Sequence, residues 1–227
     1  AMSKTVRFRF GKKGQTQYIS HLDLMRCMER RFRRAGIPLE HTEGFNPHPK
    51  LSFDLPLPVG VVSDVCFMDA VIEEPFSCDE LVQRLNKALP EGLIVYEAVV
   101  TEDKKSLMSQ VTNASYRYVM RPLDCDADVF TNEMKSILDQ EGIYIEKETK
   151  KSLKMINIKD MLQWYRVSRE GETTVLDVMC SAGSVNNLNP ILLWRAVCMY
   201  TDYRFDLLSL ERTGLYKNEN GKTVPIR

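Results

Sequence analysis

The residues best able to do chemistry lie in one segment, at positions 44–50, which reads Gly-Phe-Asn-Pro-His-Pro-Lys. Each proline restricts its own backbone angle and pushes the residue before it toward extended geometry, so Asn46 and His48 are held on a stiff, non-helical segment. Side chains alternate along an extended chain, and Asn46, His48 and Lys50 would then lie on one side. We call residues 44–50 the strap. It is interpreted either as a site that binds one polar ligand or as a rigid connection between two strands.

The three histidines of the chain are His21, His41 and His48, all before residue 50. His21 and His48 are the candidate catalytic residues, as an acid and a base, because imidazole titrates near neutral pH. His21 falls in the first turn of a predicted helix, and a structural role there is the favoured interpretation. A metal site built from all three histidines is the least favoured alternative, because their spacing does not show that they converge. We therefore predict neither a metal nor another cofactor.

Basic charge is concentrated in the first 50 residues, which carry 11 Lys/Arg against 4 Asp/Glu, although the net charge of the chain is zero. Such polarity favours an anionic partner on one face, with solvated charge as the alternative. Phe45, Tyr18 or Trp164 could stack on an unpaired base of a bound RNA. The predicted nucleic-acid contacts are Arg26, Arg30, Arg33, Arg34, Asn46, His48, Lys50, Lys150, Lys151, Lys154 and Lys159.

The elements that must position these residues can be predicted from periodicity and caps. Residues 5–10 alternate apolar and basic side chains, as in a half-buried strand with Arg7 and Arg9 on its polar side. Ser20 and Asp23 have the spacing of a capping box, and a helix from there ends at Gly36. Continuing to residue 100, the order is strand, helix, strand, strand, helix, strand, which is typical of a ferredoxin-like domain.

The same order of elements recurs after a polar hinge at residues 101–109. Asn189 is a good helix cap and Pro190 suits the first helical position, so another helix begins there. We predict an α+β protein of two tandem ferredoxin-like (split β-α-β) domains, with antiparallel sheets and helices on one face. The domains span residues 1–103 and 110–216, and a loosely held tail follows at 217–227.

The six cysteines are scattered, without the close pairs of a zinc site or the triplet of an iron-sulfur cluster. They are expected to be reduced thiols. No apolar run approaches the roughly 18 residues that cross a bilayer, and the N-terminus has no apolar signal region. The expectation is a cytoplasmic protein with no membrane contact.

Four linked segments resemble the radical SAM-linked protein family, a bacterial domain of unknown function. They are residues 20–26 (Ser-His-Leu-Asp-Leu-Met-Arg), residues 33–38 (Arg-Arg-Ala-Gly-Ile-Pro), the strap through Phe53, and residues 57–61 (Leu-Pro-Val-Gly-Val). The basic stretch at 150–154, with Ile158 and Lys159, is similar to a segment of the family's second half. One departure is the sequence Ser-Asp-Val-Cys at 63–66, where members usually have an acidic residue. The resemblance implies association with a radical SAM protein and names no reaction.

Three functions remain open at this point. The favoured one is a non-catalytic RNA-binding or substrate-presenting accessory of a radical SAM partner, acting in RNA modification or processing, with tRNA or rRNA as the candidate RNA. The second is a metal-independent ribonuclease-like enzyme that uses His21 and His48. The third is a protein-interaction module that docks a radical SAM protein without RNA.

Overall fold

The computed structural model describes residues 3–73, 76–103, 105–148 and 152–227. The chain divides into two units, residues 1–111 together with Arg227 and residues 112–226. Within the described residues there are five α-helices and mostly antiparallel strands, which confirms the predicted α+β class. None of the described helices is both long and apolar enough to cross a membrane.

The first unit is built on a central strand with an antiparallel partner on each side. Its strands are β1 (Lys4–Lys12), β2 (Leu51–Phe53), β3 (Val62–Ile72) and β4 (Leu93–Val100), and its helices are α1 (His21–Arg34), α2 (Cys78–Ala88) and α3 (Leu107–Gln110). β1 pairs with β3 and β4, and β2 pairs with β3, all antiparallel. The strand order in this unit is therefore β4-β1-β3-β2.

Helix α1 begins at the capping box that the sequence predicts. The Ser20 hydroxyl accepts a hydrogen bond from the Asp23 N–H at 3.1 Å and donates to the Asp23 carboxylate at 2.7 Å. Leu24, Met28 and Phe32 recur at every fourth position and are buried. Burying each such side chain contributes roughly 1.5–3 kcal/mol, so this face attaches α1 to the unit's core.

The second unit also combines strands with helices. Its elements are β5 (Val111–Pro122), α4 (Ala127–Leu138), β6 (Tyr144–Glu148), β7 (Leu153–Asn157), β8 (Leu162–Glu170), β9 (Thr173–Ser181), α5 (Pro190–Tyr200), β10 (Phe205–Glu219) and β11 (Lys222–Pro225). The main strands lie in the order β10-β5-β9-β8. β6 and β7 form a separate two-stranded sheet, and β11 pairs with β10.

The end of the chain differs from the loose tail expected at 217–227. β10 runs to Glu219, and β11 pairs with it in an antiparallel hairpin. Asn220 and Gly221 form the two-residue turn, both with positive φ (52° and 81°). An Asn-Gly pair between two strands is a strong hairpin signal, because both turn positions need φ above zero. Ile226 beyond the hairpin is buried, so the segment is held in place.

Candidate nucleic-acid interface

The strap is closed at its base by backbone hydrogen bonds. The Thr42 N–H donates to the His48 carbonyl at 2.9 Å, and the Lys50 N–H donates to the Glu40 carbonyl at 2.7 Å. Val71 of β3 joins this base, because its carbonyl accepts from the Glu40 N–H and its N–H donates to the Lys50 carbonyl. The strap is therefore a loop whose two ends are tied to each other and to the sheet.

His48 is exposed, but its ring nitrogen Nδ1 faces the strap itself. Nδ1 lies 3.2 Å from the Thr42 hydroxyl and 3.3 Å from the Asn46 carbonyl oxygen. The His48 N–H also donates to the Thr42 hydroxyl at 3.1 Å. Thr42 thus positions His48 through two contacts.

His48 and Lys50 line the same cavity, of about 330 Å³, which we call the strap cavity. Asn46 is exposed and is not among the residues that line it. The Lys50 ammonium pairs with the Glu40 carboxylate, and this hydrogen bond lowers the pKa of Glu40. The structure brings two of the three predicted strap side chains to one cavity, with one of them already ion-paired.

Arg7 and Asp69 form a buried ion pair beside the strap cavity, with exposed fractions of 6% and 7%. The guanidinium donates to both carboxylate oxygens, at 2.8 and 2.9 Å, and lies 3.6 Å from the carboxylate of Asp103. Asp69 and Asp103 both line the cavity. The alternating pattern of β1 predicts Arg7 on the polar side of the strand and misses this pair, because period-2 alternation does not reveal that both faces are covered.

His21 lies half-buried at the start of α1, with its ring edge-on to Phe53 at a centroid distance of 5.7 Å. His41 is exposed and lines a second cavity, of about 510 Å³ at the C-terminal end of α1, which we call the helix-end cavity. In the part of the chain that the structure describes, no three His, Cys, Asp or Glu side chains form a group that could hold a metal ion. The three histidines accordingly do not form one site.

Four arginines form an exposed stripe along α1. Arg26, Arg30, Arg33 and Arg34 stand at spacings of four, three and one, on the face opposite the buried Leu24, Met28 and Phe32. None of the four has an ion pair or side-chain hydrogen bond with another described residue. We call them the arginine stripe. Their charge is available to a partner.

Four of the other seven basic residues in the first 50 positions form ion pairs within the first unit. Their partners are acidic residues from the strap base, β3 and β4. The pairs are Arg7 with Asp69, Arg9 with Glu97, Lys13 with Asp64, and Lys50 with Glu40. These pairs cancel part of the charge asymmetry seen in the sequence, and the charge of the arginine stripe on α1 remains.

The second basic segment is divided between exposure and internal contacts. Lys154 on β7 is exposed, and Lys150 and Lys151 lie outside the described residues. The Lys159 ammonium donates to the Leu138 carbonyl at the end of α4 and to the Tyr165 hydroxyl. A cation at a helix C-terminus interacts favourably with the helix dipole, so Lys159 has a role inside the second unit.

The three aromatic side chains proposed for stacking are all exposed, to different extents. Phe45 at the strap tip is fully exposed, Tyr18 is 60% exposed and Trp164 on β8 is 46% exposed. Phe45 follows Gly44, whose φ of +117° favours glycine over any residue with a Cβ. The strap therefore presents an aromatic ring to solvent on a closed loop.

Comparison with known proteins gives one family and a likeness in fold. No curated protein matches the chain. A chain in the crystal structure of a Cbf5-Nop10-Gar1 complex has a TM-score of 0.52 at 13% identity, over 92% of this chain and 48% of that one. This chain therefore spans about half of that neighbour, and the likeness concerns the fold alone. An unknown protein from Galdieria sulphuraria has a TM-score of 0.27 at 12% identity, over 93% of this chain and 99% of that one.

The family model described as uncharacterized protein conserved in bacteria matches residues 5–190. The matched range includes the capping box of α1, the arginine stripe, the strap and most of the second unit. The chain therefore belongs to this bacterial family, DUF2344.

Proposed function

We propose that this protein is a non-catalytic RNA-binding or substrate-presenting accessory that works with a radical SAM partner. The observation that carries the RNA-binding part is the arginine stripe, four exposed guanidiniums without an ion pair to another described residue. Guanidiniums bind phosphates through paired N–H donors, and a row of them can follow a nucleic-acid backbone. The radical SAM partner is proposed from the resemblance of the motifs in the first half of the chain.

The strap supports the same function because it exposes the Phe45 ring to solvent on a loop that is closed by backbone hydrogen bonds. Stacking of a base on an aromatic side chain contributes about 1–3 kcal/mol and tolerates any base. The backbone hydrogen bonds at the strap base hold the loop closed before any ligand binds, so less order has to be gained on binding.

The surroundings of the histidines favour binding over acid-base catalysis. The His21 ring packs on Phe53, and the contacts of His48 are to a hydroxyl and a backbone carbonyl of the strap itself. Those contacts orient the imidazole and stabilise the loop, and they do not pair it with a second acid or base.

We further propose that the two units are tandem ferredoxin-like domains. Counting only the main strands of each unit in chain order, both units have the strand order 4-1-3-2. That order is the one expected for two interlocked β-α-β units in an antiparallel sheet. On this interpretation, the β6–β7 hairpin is an insertion in the second domain.

The test is the salt dependence of RNA binding. Fluorescence anisotropy with a single-stranded fragment of tRNA or rRNA measures the dissociation constant at several salt concentrations. The slope of log K against log salt is about −0.7 per phosphate contact for single strands, so four contacts give about −3. The Arg26→Ala/Arg30→Ala double variant should reduce this slope by about half.

The matched control is Arg84→Ala, which removes one half-buried arginine from α2 in the same unit. Arg84 is already paired with Glu80 one helical turn away, at 2.8 Å, and is not part of the stripe. Its loss should leave the slope unchanged. Absence of RNA binding at low salt, or an unchanged slope in the double variant, would show that the RNA-binding proposal is wrong.

The partner is tested separately by co-purification with a radical SAM protein after nuclease treatment. A partner that stays bound without RNA supports a direct complex. A partner that is retained only while RNA is intact contradicts direct docking and leaves RNA as the link between the two.

A further inference from the structure

The helix-end cavity is a second feature of the first unit that touches the arginine stripe. It has a volume of about 510 Å³ and is bounded by α1, by the segment that follows it, by both ends of the loop that carries the strap, and by the end of β3. Arg33 lines it and also belongs to the stripe. A chain of phosphates that follows the stripe would therefore pass the mouth of this cavity.

The inner wall of the cavity is apolar. Ile37 and Leu39 are buried there, and Pro38 and Pro49 add rigid rings. Pro49 is fixed by its place in the strap base, where it forms a bridge with His41. A flat, weakly hydrated ring is the kind of group that such a wall accepts.

The rim carries charged groups of both signs. Glu29 and Glu73 supply carboxylates, and Arg33 stands one helical turn after Glu29. None of the three has an ion pair with another described residue, although Glu29 and Arg33 have the spacing at which helical pairs form. Their hydrogen-bonding groups are thus available to a ligand.

The geometry points to a pocket for a nucleobase that carries an exocyclic amino group, with cytosine as the test case, in an RNA whose phosphate contacts Arg33. This inference rests on the proposed RNA-binding function and adds a base preference to it. Carboxylates accept hydrogen bonds from the cytosine amino group, whereas uracil has a carbonyl oxygen at the same position, which a carboxylate repels. The apolar wall contacts the face of the base and Arg33 contacts its phosphate.

Cytidine and uridine make the cleanest probe, because their bases differ only in the group at position 4 and in the hydrogen on N3, and neither nucleoside carries a phosphate. Each is titrated into the ¹⁵N-labelled protein while the backbone amide signals of residues 36–41, other than Pro38, are followed. We expect cytidine to shift these signals with a dissociation constant about tenfold lower than that of uridine, since one well-placed contact to a base edge is worth roughly 1–3 kcal/mol. The Glu29→Gln/Glu73→Gln double variant should abolish the preference. Glu43→Gln, an exposed acid near the strap tip that lines neither cavity, should retain it.

The results separate this inference from the proposed function. Equal shifts for both nucleosides, or no shifts at residues 36–41, would overturn the pocket even if RNA binds through the arginine stripe. A preference for cytidine that survives the double glutamine variant would also overturn it. A cytidine preference that depends on the two carboxylates supports the pocket. If that preference is found but the anisotropy experiment shows no RNA binding, only the proposed contact between the arginine stripe and the RNA backbone is rejected.

Discussion

Removing the charge of Arg7 should destabilise the first unit strongly, because it would leave a buried carboxylate without its partner. Both side chains of the Arg7–Asp69 pair are more than nine-tenths buried, and both carboxylate oxygens accept from the guanidinium. Breaking such a pair typically costs about 3–5 kcal/mol. Arg7→Met is therefore expected to lower the free energy of unfolding by that amount. Asp103, which also faces Arg7, is more exposed and can be rehydrated.

The matched control is Arg9→Met on the same strand. Arg9 lies 3.7 Å from Glu97, its side chain is 34% exposed, and it stacks on the ring of Tyr96. A solvent-screened pair of this kind is worth no more than about 1 kcal/mol. Replacing both partners, as Arg7→Met/Asp69→Leu, should recover most of the lost stability, because an apolar pair needs no desolvated charge.

Hydrogen exchange of the β1 and β3 amides is the appropriate assay, since both tryptophans of the chain, Trp164 and Trp194, lie in the second unit. The opening free energy of these amides reports the first unit directly. The reasoning is refuted if Arg7→Met costs no more than Arg9→Met. It is equally refuted if the double variant is as unstable as the single one.

Three further predictions concern the second unit. Burial acts to raise the pKa of Asp177, but hydrogen bonds from two arginines outweigh it and leave the pKa below the ordinary 3.8. The ionised Asp177 therefore contributes its full stabilisation above pH 3.8, and this contribution is lost as the pH falls through the lowered pKa. Asp177→Asn should therefore weaken the pH dependence of the free energy of unfolding at acid pH, measured by tryptophan fluorescence. An unchanged pH dependence would contradict this. Burial raises the pKa of the Cys180 thiol to about 12. Iodoacetamide at pH 8 should therefore modify the exposed Cys198 before Cys180, as followed by mass spectrometry. Early labelling of Cys180 would contradict its burial. Gly221→Ala should lower the free energy of unfolding, measured by tryptophan fluorescence, by about 1 kcal/mol, because φ is +81° at this position. No loss of stability would mean that the turn rearranges freely.

The sequence was most informative where a local signal decides local structure. The Ser20 cap is found as predicted, and Asn189 accepts from the Ile191 N–H at 2.9 Å with Pro190 at the first turn of α5. These signals need only three or four neighbouring residues, so they survive whatever the rest of the chain does. The hairpin at Asn220 belongs to the same class and could have been predicted from its two turn residues.

The long-range contacts of the site could not be predicted in this way. Arg7 and Asp69 are 62 positions apart, and nothing in either local pattern indicates that they meet. Lys50 was expected to contact a ligand, yet its partner Glu40 is set by how the strap base closes. The exposed face of α1 was easier to predict, because the same helical period that places Leu24, Met28 and Phe32 in the core places the arginines in solvent.

The closure of the strap has a consequence for how its tip can change. Among the residues that the structure describes, the backbone-to-backbone hydrogen bonds that close the loop involve residues 40, 42, 48, 50 and 71, and none involves residues 43–47. The tip is thus free to vary in sequence while the base keeps its geometry, provided that a residue able to adopt positive φ stays at position 44. The strap is consequently a natural place to graft another short recognition sequence, and such chimeras should keep the stability of the parent unit.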